Sequence, residues 1–324
     1  MSNQETNPNK KKEEKKPQII IKLEWIFGII KDFLPNVEFL GKDTIVYPAS
    51  NNIVIYNFTR NMGSMNLQHY IQGQPHSKGI TSMIAMNYSK KVVGFSEDLK
   101  DGILISFYSI TVKQGLKNFP VVQTIYDFKD EDVKLTHTYC MTYTRSRRTT
   151  DYYIVALASD DKNYYFIVWK WDLENVRDKP FVQKIELFEY KFDEEKEQSK
   201  EMSSSASVSM KEEDSENAIN PSNNESKVDN NYKYEPIEVN VNNHFELGFP
   251  SLENNIFSLV SKHCIYFYKI SSDGVKEDDK INLGDEKGYN NYGNEIYGSN
   301  WLNDGPFCFV TDHYINIYDI KEKK

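Results

Sequence analysis

The chain has 324 residues, a formal net charge of -9 and a pI near 5.3, and 14% of it is aromatic, with 22 Tyr and 18 Phe. The acidic balance lacks the concentrated basic face on which duplex binding rests, so no nucleic-acid partner is expected. The length exceeds that of most single globular domains but suits one large all-β unit, and Tyr and Phe favour pleated surfaces over helices. Cys140, Cys264 and Cys308 are odd in number, widely spaced and without a CxxC pair, so neither a zinc site nor a disulfide framework is indicated; a reducing compartment fits.

Residues 1–17 open with MSNQETNPNKKKEEKK, a polar tail without the apolar core of a signal peptide. Its Lys10, Lys11 and Lys12 form a candidate contact for an acidic surface, weakened by the interleaved glutamates. The apolar run that follows, IIIKLEWIFGIIKDFL, is broken by Lys22 and Glu24 and is too short to span a bilayer, so no membrane partner is expected. Within it LEWIFGI (23–29) reads as a strand, and the alternative is an amphipathic helix over 19–34.

From there the sequence repeats one scheme of strand, turn and second alternating strand ending in an aromatic residue. It runs through TIVYPASNNIVIYNF (44–58), VVGFSEDLKDGILISFYSI (92–110) and YIVALASDDKNYYFIVWKWDL (153–173). IFSLVSKHCIYFYKI (256–270) and FCFVTDHYINIYDI (307–320) complete five copies. The closing aromatics, Tyr56, Tyr108, Trp171, Tyr268 and Tyr318, are 52, 63, 97 and 50 residues apart. Residues 191–233, acidic and rich in Ser and Asn, hold almost no large apolar group. They read as a disordered insertion, since no buried surface offsets the entropy of ordering them. Subtracting their 43 residues brings the long interval to 54.

Each copy follows a further apolar stretch, such as ITSMIAMNYS (80–89) or HFELGFPS (244–251), expected as an inner strand. Two are followed by another, PVVQTIYDF (120–128) and PFVQKIELFEY (180–190), expected as outer strands. Four strands per period is a propeller blade. The expected fold is therefore all-β, a WD40-like β-propeller of about five blades, with blades 1–3 in 18–190 and blades 4–5 in 234–324. The last copy lacks an outer strand of its own, and LEWIFGI is expected to fill that edge. The alternative is an open arc, completed or capped by a partner.

EWIFGI, VEFLGKDTIVYPASNNIVIYN and YIQGQPHSKGITSMIAMNYSKKVVGFSED resemble the start of the cilia- and flagella-associated protein fifty-seven family, WD-repeat proteins of the motile axoneme. FELGFPSLENNIFSLVSKHCIYFYKI and SNWLNDGPFCFVTDHYINIYDI resemble its next blades in the same order, from residue 23 to the end without the insertion. The resemblance implies a non-enzymatic scaffold in the ciliary axoneme, on the doublet microtubule near inner-arm dynein and the nexin-dynein regulatory complex. The implied partners are tubulin, those complexes and other propeller or coiled-coil proteins. Family members continue into further blades, a second propeller and a long coiled coil, whereas this sequence stops after about five blades with no heptad pattern, which puts in doubt the roles carried by the family's coiled coil.

No GxxxxGK, GxGxxG or GxSxG occurs, and the six His (69, 76, 137, 244, 263, 313) show neither HxxxH nor HExxH spacing. Adjacent His263 and Cys264 point to opposite faces of a strand, and the acid pairs Asp160-Asp161 and Asp278-Asp279 are expected in turns. No catalytic residue, cofactor, metal or small-molecule substrate is therefore expected. Arg145, Arg147 and Arg148, in TRSRRTT, are the main basic feature, able to pair bidentately with carboxylates on a surface such as tubulin or to lie in a solvated hairpin loop. The rival readings are a soluble WD-repeat adaptor for peptide or protein partners in trafficking or assembly and, further off, a propeller hydrolase with a central-channel site.

Overall fold

The computed structural model describes residues 37–58, 68–87, 91–110, 123–129, 132–144, 152–171, 179–192, 232–251, 255–283, 295–302 and 305–323. They hold 21 strands and no helix, and none of them forms a helix long and apolar enough to cross a membrane.

The strands fall into consecutive antiparallel meanders. The first sheet is β1 (Glu38–Phe39), β2 (Thr44–Ala49), β3 (Asn52–Asn57) and β4 (Gln68–Gln72); the second is β5 (Gly79–Asn87), β6 (Lys91–Asp98), β7 (Ile103–Ile110) and β8 (Gln123–Asp127). The third is β9 (His137–Tyr143), β10 (Tyr152–Ser159), β11 (Tyr164–Trp171) and β12 (Phe181–Ile185). A two-stranded ribbon, β13 (Phe188–Phe192) with β14 (Tyr232–Pro236), stands before the fourth sheet, β15 (Glu246–Gly248), β16 (Ile256–Val260), β17 (Cys264–Ser271) and β18 (Gly274–Asn282). Among the described residues the last sheet has three strands, β19 (Ile296–Trp301), β20 (Phe307–Thr311) and β21 (Ile315–Tyr318).

The sheets are arranged radially. Innermost strands touch in succession, β1 with β5, β5 with β9, β9 with β15 and β15 with β19. Side chains from all five innermost strands, among them Glu38, Ile84, Cys140, Glu246 and Trp301, line one cavity of 220 Å³. Sequential four-stranded meanders whose first strands surround a common axis are the blades of a β-propeller.

The core lies between blades, which explains the sequence patterns. Alternate residues of a strand point to opposite faces. In β10, Val155 and Leu157 enter a cluster with the fourth sheet's Phe257, Leu259 and Tyr266. Their neighbours Ile154, Ala156 and Ala158 enter another with the second sheet's Ile103, Ile105 and Phe107. A blade covered on both sides needs apolar residues at successive positions, hence the runs YYIVALA (152–158) and YYFIVW (164–169). Aromatic rings fill these interfaces edge to face: Phe166 meets Phe257 at 5.1 Å and Tyr268 at 4.9 Å, and Phe107 meets Trp169 at 5.5 Å. Trp171, the ring of the FIVWKWDL stretch, is buried in the second interface; Asp172 lies outside the described residues.

Several expectations change. Outer strands complete four sheets, not two: the polar QHYIQ and GVKEDDKIN are β4 and β18. Residues 180–190 are not one outer strand; 181–185 form β12, and 188–190 open the ribbon. Asp278 and Asp279 lie within β18, where Asp279 pairs with Phe267 and Glu277 with Tyr268 around a bulge at Asp278. Charged residues fit that strand because its outer face is exposed. Of the segment 191–233, the first two residues lie in β13 and the last two in β14, and 193–231 are outside the described residues. LEWIFGI, Lys10, Lys11, Lys12, Arg145, Arg147 and Arg148 are outside them as well.

Candidate functional site

In an antiparallel meander the first strand begins, the second ends and the third begins at one end of the sheet. The connections between blades and the turns β6–β7, β10–β11 and β16–β17 therefore gather on one face of the propeller. Buried polar side chains hold this face in shape. Glu97, 1% exposed, accepts the backbone N–H of Gln74 at 2.8 Å. Asn51 Nδ2 donates to the Gln74 carbonyl at 2.8 Å, and Ser77 Oγ donates to Asn51 Oδ1 at 2.9 Å. Gly73 sits where a Cβ would come within 2.4 Å of Glu97 Oε1 and 2.5 Å of Asn51 Oδ1, so a larger residue here would have to displace the two side chains that make these hydrogen bonds.

The second and third blades are joined by His137 and Asp98, Nδ1 to Oδ2, at 2.5 Å with both side chains largely buried. Asp98 Oδ1 is buried without a hydrogen-bond partner. The Tyr139 ring stands edge-on to His137 at 4.5 Å, its hydroxyl shares a hydrogen bond with Ser159 Oγ at 3.2 Å, and burial pushes its phenol pKa well up. In the β10–β11 turn, Asp160 Oδ1 accepts the backbone N–H groups of Lys162 and Asn163 at 2.7 and 2.6 Å, and Oδ2 accepts the Tyr165 hydroxyl at 2.8 Å. Burial works to raise the Asp160 carboxyl, but these donors outweigh it and hold the pKa below the ordinary value. This turn matches the expectation for Asp160-Asp161.

Between these anchors are two grooves. One, of 570 Å³, lies between the approach to β15 (242–245), the β16–β17 turn (261–263) and the start of β19. It carries Glu189, Glu246 and Glu295 with His244, His263 and Lys262. Lys262 Nζ pairs with Glu295 Oε1 at 2.7 Å, and Glu246 Oε2 accepts Ser299 Oγ at 2.8 Å. The other, of 420 Å³, is formed by 74–76, the β6–β7 turn and the end of β8. Among the described residues no three His, Cys, Asp or Glu side chains converge in a way that could hold a metal ion. Carboxylates, imidazoles and turn backbone on a rigid frame can offer hydrogen bonds and charge to a polypeptide laid across this face.

Asp98, His137 and Glu97 do not stand out in the sequence. Asp98 and His137 are 39 positions apart and belong to different blades, and the one hint is an acidic pair at the end of the apolar VVGFSED. His244 and His263, scattered in sequence, share the larger groove.

The fold and this face define a β-propeller that gathers turns and blade connections at one end. No family model matches the chain. A stretch of 95 residues, 29% of the chain, is 30% identical to cilia- and flagella-associated protein 57 C of Tetrahymena thermophila, and it spans 7% of that protein's length. The β-propeller domain of Nup133 from Vanderwaltozyma polyspora is similar over 84% of this chain and 66% of that domain, with 8% sequence identity and a TM-score of 0.43.

Proposed function

We propose that this chain is a non-catalytic scaffold of motile cilia, built into the axoneme and contacting its partners through the blade loops and rim. The observation that carries the reading is the 95-residue stretch 30% identical to a cilia- and flagella-associated protein, set on a fold of repeated interaction blades. Its place is on the doublet microtubule, beside inner-arm dynein or the nexin-dynein regulatory complex. Arg145, Arg147 and Arg148 supply guanidinium groups for an acidic surface such as tubulin, with Lys10, Lys11 and Lys12 as a second basic contact.

The test is fractionation of tagged protein from isolated motile cilia. Retention on detergent-extracted axonemes until high salt supports the scaffold. Release with the detergent-soluble matrix, or absence from cilia, overturns it in favour of a soluble adaptor that lays a peptide across the loop face. Changing Arg145, Arg147 and Arg148 together to Ala lowers the salt needed for release if the arginines dock; an unchanged profile removes them from the interface.

A further inference from the structure

The axial cavity and the larger groove have two residues in common. Phe245 and Glu246 line both the 220 Å³ space among the innermost strands and the 570 Å³ groove on the loop face, so the two adjoin at the start of β15. A segment laid in the groove has the cavity within a side chain's reach.

Size and lining select what the cavity takes. At 220 Å³ it far exceeds the roughly 15 Å³ that one water needs and falls short of the ~300 Å³ at which small-ligand sites begin. One long side chain suits it. Ile84, Met141, Phe249 and Phe307 give it apolar walls, while Glu38 and Glu246 bring two carboxylates. Ser299 Oγ donates to Glu246 Oε2 at 2.8 Å, which fixes that carboxylate and leaves Oε1 for a second donor. Burial, and then the nearby Glu246 charge, push the Cys140 thiol pKa well up, so the carboxylate acts inside the cavity. Trp301 adds a flat wall, held by its indole N–H to the Gly248 carbonyl at 3.1 Å and to Ser258 Oγ at 2.9 Å.

Carboxylates set among aliphatic and aromatic walls complement a guanidinium on an aliphatic stem. That group pairs bidentately with carboxylate, stacks on aromatic faces and is more weakly hydrated than an ammonium. The groove agrees in charge: Glu189, Glu246 and Glu295 outnumber Lys262, which is itself paired with Glu295. Tyr297, 66% exposed at the start of β19, offers a ring to a flanking residue.

We infer, resting on the scaffold reading above, that the loop face takes a partner polypeptide through an arginine, its backbone in the groove and its guanidinium beside Glu246 in the axial cavity.

Titration of the purified full chain with the peptide acetyl-Ser-Gly-Arg-Gly-Ser-amide tests this, read from the Trp301 indole N–H signal in nuclear magnetic resonance and assigned with Trp301→Phe. At millimolar peptide the signal is expected to shift, and counterparts with lysine or citrulline are expected to bind about tenfold more weakly. Glu246→Gln and Glu38→Gln are each expected to weaken binding about tenfold, whereas Glu277→Gln, on the exposed part of β18, leaves it unchanged. Thermal melting establishes that each variant is folded. An unmoved Trp301 signal, equal binding of the lysine or citrulline peptide, or binding unaltered in both cavity variants overturns the inference. Free arginine that binds as tightly as the peptide would assign the cavity to a small molecule and overturn the polypeptide form. The purified chain is read apart from the axoneme, so failure here leaves the ciliary assignment standing, and release from axonemes leaves arginine capture standing.

Discussion

The third sheet and the last share a meander topology but differ in surroundings. In β10 and β11 the runs Ile154–Ser159 and Tyr164–Trp169 are buried throughout, because blades cover both faces. In β21, burial alternates: Ile315 and Ile317 face solvent, while Asn316 and Tyr318 face the fourth sheet. A strand's apolar pattern in a propeller therefore reports how many neighbours its blade has, beyond reporting that it is a strand.

The sharpest way to break this comparison is to truncate one side chain in each sheet. Phe166→Ala should cost about 3–5 kcal/mol in denaturant unfolding, since the ring is fully buried between Phe257 and Tyr268. Ile317→Ala should stay within about 0.5 kcal/mol. Equal losses would show that the last sheet is as enclosed as the third.

Adding a methyl group is the converse test. Gly94→Ala places a Cβ 2.7 Å from the Phe107 ring in the second blade and should cost about 1–3 kcal/mol. Gly298→Ala in β19 meets nothing within 4 Å and should be tolerated within about 0.5 kcal/mol.

A smaller effect comes from the β10–β11 turn. Asp160→Asn should cost about 1 kcal/mol at neutral pH through its hydrogen bonds to Lys162, Asn163 and Tyr165. The folded-state pKa of Asp160 lies below the unfolded value, so its contribution is present above about pH 3.9 and is lost as pH falls through the folded value. The difference between the two proteins should therefore shrink in acid, and a constant difference from pH 7 to pH 2 would contradict the ionic origin.

Thiol chemistry sharpens the comparison without a large stability change. Burial pushes the Cys264 thiol up to about 12 and Cys140 well above its ordinary value, whereas Cys308, in the last sheet, is partly exposed. Native protein should label at Cys308 alone, with Cys140 and Cys264 reacting only on unfolding.

Much of the blade architecture was legible because hairpins announce themselves locally. SNN, DLKDG and SDDKN mark turns between runs that pack across from each other, and these became β2–β3, β6–β7 and β10–β11. The outer strands were less legible. β18 reads GVKEDDKIN, and its charges look like loop because only Val275, Ile281 and Asn282 are buried. The loop face was hardly legible at all. His137–Asp98 and Glu97–Gln74 are tertiary contacts made when blades meet, and no local spacing encodes them.

The ribbon between the third and fourth sheets has a practical consequence. Phe192 and Tyr232 are cross-strand partners, so the chain departs from the frame and rejoins it at one place. For a flexible insert, doubling the length that joins two such neighbouring ends adds only about 0.6 kcal/mol of closure cost. The blades thus hold open a socket: a reporter domain spliced between residues 193 and 231 should leave the propeller's melting behaviour nearly unaltered.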